Sequence, residues 1–143
     1  MSYLIDKFDT PRMYQATLST SPLVLAGAAV PFNAVSGDSG VTVSSGVLTL
    51  TAGLYAVMGQ VLFSIEATTA GWYLNGNLLG TDRSEQASTF ASGNASSNNQ
   101  TATAVFRARD GDTLELRLIS AAGNSSVCQG SDCDITLLRM GAS

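Results

Sequence analysis

The stretch Gly53-Leu54-Tyr55-Ala56-Val57-Met58-Gly59-Gln60-Val61-Leu62-Phe63 constrains this chain more than any other. It holds no proline and no charged residue, and nearly all of it is apolar. Successive side chains of a strand point to opposite faces. Tyr55, Val57, Val61 and Phe63 therefore share one face, and Leu54, Ala56, Met58 and Leu62 share the other. A strand with one wet face alternates apolar with polar, whereas a strand apolar on both faces is buried on both. In a chain of 143 residues, one face can cover the subunit's own core and the other then needs a partner. The expectation is a strand lying between a β-sandwich core and an oligomer axis.

Size and composition fit that expectation. The chain has the length of one domain with a real core. Charged residues make up only 13%, about half the usual share, so little is available to cover a surface. That favours a protein that hides much of its surface in an assembly. A net charge of -4, with Lys7 as the single lysine, argues against a nucleic-acid partner. The absence of histidine removes the commonest general base and the commonest metal ligand. No run reaches the roughly 18 apolar residues of a membrane span, so no membrane partner is expected. The first residues, Met1 to Asp9, lack the basic start and long apolar centre of an export signal, which points to synthesis in a cytoplasm. The two cysteines fall in Cys128-Gln129-Gly130-Ser131-Asp132-Cys133. Gly130-Ser131 would let a small disulfide loop close, but two reduced thiols are the expected state for a cytoplasmic product. Two thiols without histidine do not complete a zinc site, and no metal is expected.

Read in order, the chain divides into an N-terminal arm over 1–13 and a β domain over 14–143. The arm mixes Tyr3, Leu4, Ile5 and Phe8 with charges and ends at Pro11. An apolar arm with no core of its own docks onto something, its own domain or another protein. Strands are expected at Tyr14–Leu18, Leu23–Leu25, Val30–Val35, Val41–Val43, Val47–Leu50 and along the opening stretch. Glu66–Gly71 reads as a loop. Trp72-Tyr73-Leu74 then enters the Asn75-Gly76 turn, the strongest short hairpin signal because both residues tolerate positive φ. Further strands are expected at Ser84–Phe90, Thr103–Ala108, Leu114–Leu118 and Ile135–Met140. Ser92–Asn99 reads as an exposed loop and Gly123–Ser126 as a turn. In Leu114–Leu118 the alternation turns Glu115 and Arg117 to water. About ten short strands with no helical period argue for an antiparallel sandwich or barrel.

Several of these motifs resemble a known family. Gly53-Leu54-Tyr55 followed by Gln60-Val61-Leu62-Phe63 resembles the central strand of tumour necrosis factor (TNF)-like domains. Tyr73-Leu74-Asn75-Gly76 is similar to a hairpin of the C1q globular heads. Gly111-Asp112-Thr113-Leu114-Glu115-Leu116 is similar to a strand start that both share, and Val30-Pro31-Phe32-Asn33-Ala34-Val35 to a C1q segment. The resemblance covers residues of about 14–140 in the right order. It implies an all-β, ten-stranded antiparallel jelly-roll sandwich that forms homotrimers. Tyr55, Val57, Val61 and Phe63 would then be core, while Ala56, Met58, Gln60, Thr136 and Leu138 would face the trimer interior. The aromatic residues expected at the axis are replaced by Ala56 and Met58.

Small jelly rolls of this kind also occur in tailed bacteriophage virions, and a lysine-poor chain with an apolar arm resembles those most. This implies a capsid cement or decoration protein on the capsid exterior, partnered by itself and by the major capsid protein. The arm residues Tyr3, Leu4, Ile5 and Phe8 would dock onto the shell. The alternative is a receptor- or glycan-binding head of a fibre or spike, working through loops at Asp82–Glu85 and Ser92–Gln100. An enzyme is not expected. Asp110 and Asp112 read as turn residues, though with Asp82, Asp132 and Asp134 they offer oxygen ligands of the kind calcium takes. As a carboxylate pair they lack an apolar pocket to separate their pKa values. No serine has a histidine or a Ser-x-x-Lys context. Of Trp72 and Tyr73, which point oppositely, one at most is free to stack on a sugar. No cofactor is expected.

Overall fold

The computed structural model describes residues 11–62, 68–79, 87–88, 91–93, 100–121, 125–128 and 133–141. The arm residues Tyr3, Leu4, Ile5 and Phe8, together with Phe63, Asp82, Glu85 and Asp132, lie outside them. In chain order the strands are β1 (Arg12–Thr17), β2 (Leu23–Leu25), β3 (Ala34–Ser36), β4 (Thr42–Ser44), β5 (Val47–Thr49), β6 (Gly53–Val61) and β7 (Thr68–Leu74). They continue with β8 (Asn77–Leu78), β9 (Ala87–Ser88), β10 (Ala91–Gly93), β11 (Gln100–Ala108), β12 (Thr113–Ser120), β13 (Ser125–Val127) and β14 (Asp134–Gly141). The described residues contain no helix.

The strands form two sheets face to face. The front sheet runs β3-β1-β14-β6-β11-β9, and the back sheet runs β10-β7-β12-β5-β4 with β8 beside β7. A short ribbon of β13 and β2 stands apart, and all pairings are antiparallel. The fourteen segments exceed the roughly ten expected strands because the short β8 and β10 count separately, β10 taking Ser92 and Gly93 from the expected loop to pair with β7, and because β13 lies where a turn was expected. Ser126 in β13 is fully buried, a position that polarity alone does not indicate. Within the expected loop Glu66–Gly71, the described residues from Thr68 onward instead form the first half of β7, whose Ala70 and Gly71 pair with Leu118 and Arg117 of β12. Val30–Val35 is strand only from Ala34. Pro31 has no N–H to donate, and the chain before it runs beside β12, with the Val30 N–H donating to the Leu116 carbonyl at 2.8 Å.

Strand β6 lies at the middle of the front sheet, between β14 and β11. Its buried set is Tyr55, Val57 and Val61, facing the core as expected. Tyr55 stacks on Phe106 of β11 with ring centroids 5.6 Å apart, and its hydroxyl donates to the Thr51 carbonyl at 2.7 Å. From the back sheet, Trp72 reaches across the sandwich, and its indole N–H donates to the Ala102 carbonyl at 2.9 Å. The ring lies over Gly59, where a Cβ would fall 2.7 Å from Trp72 Cζ2 and 3.3 Å from Leu116 Cδ2. The Asn75-Gly76 turn forms as expected, with φ of 51° and 81°. Asn75 also accepts the Thr113 N–H through its side chain at 3.0 Å, which ties the hairpin to β12.

Candidate functional site

The outer face of the front sheet carries four of the six large apolar side chains left exposed among the described residues; the other two, Leu23 and Leu25, lie on β2. Register arranges it in rows across the strands. Met13 of β1 lies opposite Leu138 of β14, Leu138 opposite Ala56 of β6, and Ala56 opposite Val105 of β11. The next row is Gln15, Thr136, Met58 and Thr103, and the third is Thr17, Asp134, Gln60 and Thr101. The face therefore grades from apolar to polar along β6. Met13 is 61% exposed, Met58 51%, Val105 42% and Leu138 36%. Large side chains left this open on one contiguous face are a feature of interaction surfaces.

All five residues expected to face an axis lie here: Ala56 and Leu138 in the first row, Met58 and Thr136 in the second, Gln60 in the third. Between them is a hollow of about 270 Å³, lined by Ala56, Met58, Val105, Leu138, Thr103 and Thr136, with Val57 and Ala104 at its floor. The lining carries two hydroxyls and no charge, so the site offers non-directional apolar contact rather than chemistry. Met13 and Val105 were missing from the expected set. Met13 fell inside the stretch read as arm, although β1 begins at Arg12. Val105 was readable from the alternation Ala104-Val105-Phe106, whose flanking residues are core.

No family model and no curated protein sequence matches this chain. Solved structures do. The globular domain of zebrafish complement 1qA superposes with a TM-score of 0.62, over 90% of this chain and 96% of that one, at 12% identity. GITRL from bushbaby matches at 0.60, over 93% and 96%, with 15% identity. The Eiger TNF of S. frugiperda matches at 0.57, over 93% of each chain, with 16% identity. The fold is a TNF/C1q-like jelly roll.

Elsewhere in this jelly roll the candidate polar sites are occupied by structural roles. Asp110 accepts the Ala52 N–H at 2.7 Å and Asp112 accepts the Arg109 N–H at 2.8 Å, so both carboxylates serve the turn before β12. Asp134 sits on the outer face beside Gln60. Among the described residues, no three histidine, cysteine or acidic side chains gather as a metal site. Trp72 is fully buried, and Tyr73 lies under the Arg117 guanidinium, 4.4 Å from its ring centroid. Arg117 pairs with Glu115, and both are half-buried on the back sheet's outer face rather than turned fully to water.

One polar cluster closes an end of the front sheet. The Tyr14 hydroxyl donates to Asp38 at 2.7 Å, the Gly40 N–H donates to the same carboxylate at 2.8 Å, and Arg12 pairs with it. Burial, then the Asp38 hydrogen bond, push the Tyr14 phenol up to about 12. The Tyr14 and Gly40 hydrogen bonds hold the Asp38 carboxyl below the usual range. The folded state thus binds the phenol proton more tightly than the unfolded chain does, and its stability falls as pH rises from about 10 to 12. Asp38 acts at the other end: its contribution is present above about pH 4 and is lost as pH falls through its lowered pKa. Melting temperatures across pH are expected to fall less steeply above pH 10 in Tyr14→Phe than in the native protein. The native advantage over Asp38→Asn should shrink below about pH 4.

Proposed function

We propose that this chain is a non-enzymatic homotrimer that serves as a structural element of a larger assembly, and specifically a capsid cement or decoration protein. The observation that carries the trimer is the exposed apolar face of β1, β14, β6 and β11. Burying a half-exposed Met, Leu or Val contributes on the order of 1 kcal/mol. Four such side chains in each of three subunits contribute on the order of 12 kcal/mol, comparable with the lower range of the cost of the two association steps, roughly 4–15 kcal/mol each. In the trimer Ala56, Met58, Thr136 and Leu138 pack around the threefold axis. Gln60 stands where the face turns polar, and its three copies satisfy one another's amides, which would be costly to bury singly.

The cement role is supported by the small share of charged residues, which suits a protein held among neighbours, and by the apolar arm. Threefold symmetry lets one small protein touch three capsomers at once, and multivalency turns weak contacts into stable clamping. In this reading Tyr3, Leu4, Ile5 and Phe8 dock onto the major capsid protein at the virion exterior. The mass of the purified protein in solution tests the trimer. Deleting residues 1–10 is expected to leave trimers intact and abolish binding to purified capsids. A truncated trimer that still decorates shells removes the arm from the mechanism. Native protein found in few copies at a distal tip, rather than abundantly at local threefold points, identifies a fibre or spike head instead.

A further inference from the structure

Cys128 and Cys133 take no part in the assembly face. Both are thiols buried in the sandwich core, with exposures of 0% and 3%. Cys128 follows β13, and its N–H donates to the Pro22 carbonyl at 2.9 Å, which holds it beside β2. Cys133 immediately precedes β14. Its sulfur rests against Leu62, just past the end of β6: the Leu62 N–H donates to Sγ at 3.4 Å, and the S–H points to the Leu62 carbonyl at 3.8 Å. The two thiols are hydrogen-bonded to each other, and that bond together with burial pushes the Cys128 thiol well up. The edge ribbon of β2 and β13 and the start of the front sheet's β14 therefore meet at a pair of sulfurs.

A single buried cysteine acts as a small hydrophobe. Two thiols within hydrogen-bond reach of each other have the proximity that a disulfide requires. We infer that Cys128 and Cys133 form a buried dithiol that a small-molecule disulfide such as oxidised glutathione converts into an intrachain cross-link, fastening the β2–β13 ribbon to the start of β14. The exchange balances in two steps. One cysteine, as thiolate, attacks a glutathione sulfur, expels a glutathione thiolate and leaves a mixed disulfide. The second cysteine gives up its proton and attacks the protein sulfur of that mixed disulfide, expelling the second glutathione. Two protein S–H bonds and the oxidant's S–S bond are lost. One protein S–S bond and two glutathione thiols are gained. Because the thiolate is the nucleophile, the buried and protonated pair reacts slowly in the closed fold and quickly in the opening or folding chain. The inference does not depend on the trimer.

Refolding in oxidised and in reduced glutathione tests it. The oxidised product is expected to lose the mass of two hydrogens, to run as a single chain without reductant, and to melt roughly 5 °C higher than the reduced form. Dithiothreitol should reverse the shift. Cys128→Ala and Cys133→Ala each keep a small apolar side chain, and either one should lack the redox-dependent shift. Mass and melting of the native sequence decide the matter if a variant does not fold. Retention of both titratable thiols after refolding in excess oxidised glutathione overturns the inference. Cross-links formed only between chains, or an oxidised form that melts no higher than the reduced one, do so equally.

Discussion

Met58→Asp is expected to leave the subunit folded and to abolish the trimer. Met58 is half-exposed on the outer side of β6, so a polar replacement removes little from the subunit's core. The change in strand preference costs at most about 1 kcal/mol. In the proposed trimer the same position comes close to the axis, where three carboxylates would lose their water with no cation among the lining residues. Each such charge costs several kcal/mol after relaxation, against an association built from contacts of about 1 kcal/mol each. Light scattering on the eluting protein should give one subunit's mass, with the β spectrum by circular dichroism unchanged. Thr49→Asp, at an exposed position of β5 on the back sheet, is the control and should remain trimeric. The reverse pattern, a trimer that tolerates Met58→Asp and fails with Thr49→Asp, would move the assembly face to the back sheet.

Trp72→Ala is expected to be the most damaging core substitution. It empties the largest side chain of the sandwich for about 3–5 kcal/mol, and it deletes the indole hydrogen bond to Ala102. Set against a domain stability of about 5–15 kcal/mol, that brings the fold near its limit. Gly59→Ala attacks the same contact from the other sheet. The added methyl would fall 2.7 Å from a ring that is buried on every side and has nowhere to retreat. Overpacking of this kind costs about 1–3 kcal/mol. Urea midpoints followed by circular dichroism should fall in both variants. Gly59→Ala combined with Trp72→Phe should lose less than the sum of the two single changes, because the smaller ring makes room. Full additivity would mean that the two residues do not share the contact.

What could be read without coordinates was whatever local chemistry determines. The alternation of β6 put Tyr55, Val57 and Val61 on the core side, and Asn75-Gly76 announced its hairpin through backbone freedom alone. The common face of Ala56, Met58, Gln60, Thr136 and Leu138 followed once the resemblance placed β14 beside β6. Distant partners were not readable. Nothing near Gly59 says that an indole from β7 needs its missing side chain. Ser125-Ser126 has the composition of a turn, and only its pairing with β2 makes it a strand. Glu115 and Arg117 alternate like wet residues, yet Tyr73 on the neighbouring strand draws Arg117 down over its ring. The Tyr14, Asp38 and Arg12 cluster joins residues from β1 and from the turn after β3, so no motif could announce it.

The order of the front sheet has a consequence for how the chain reaches its native state. Its central strand is flanked by β11 on one side and on the other by β14, which in turn pairs with β1, so the first described strand waits for the last. Until β14 arrives, β6 offers an open hydrogen-bonding edge and apolar side chains on both faces, the combination that most readily recruits another copy in the wrong way. Pairings so distant along the chain close slowly. Productive folding of this protein is therefore a race between capture of β6 by its own β14 and capture by a neighbouring nascent chain, and dilution or a chaperone should favour the first.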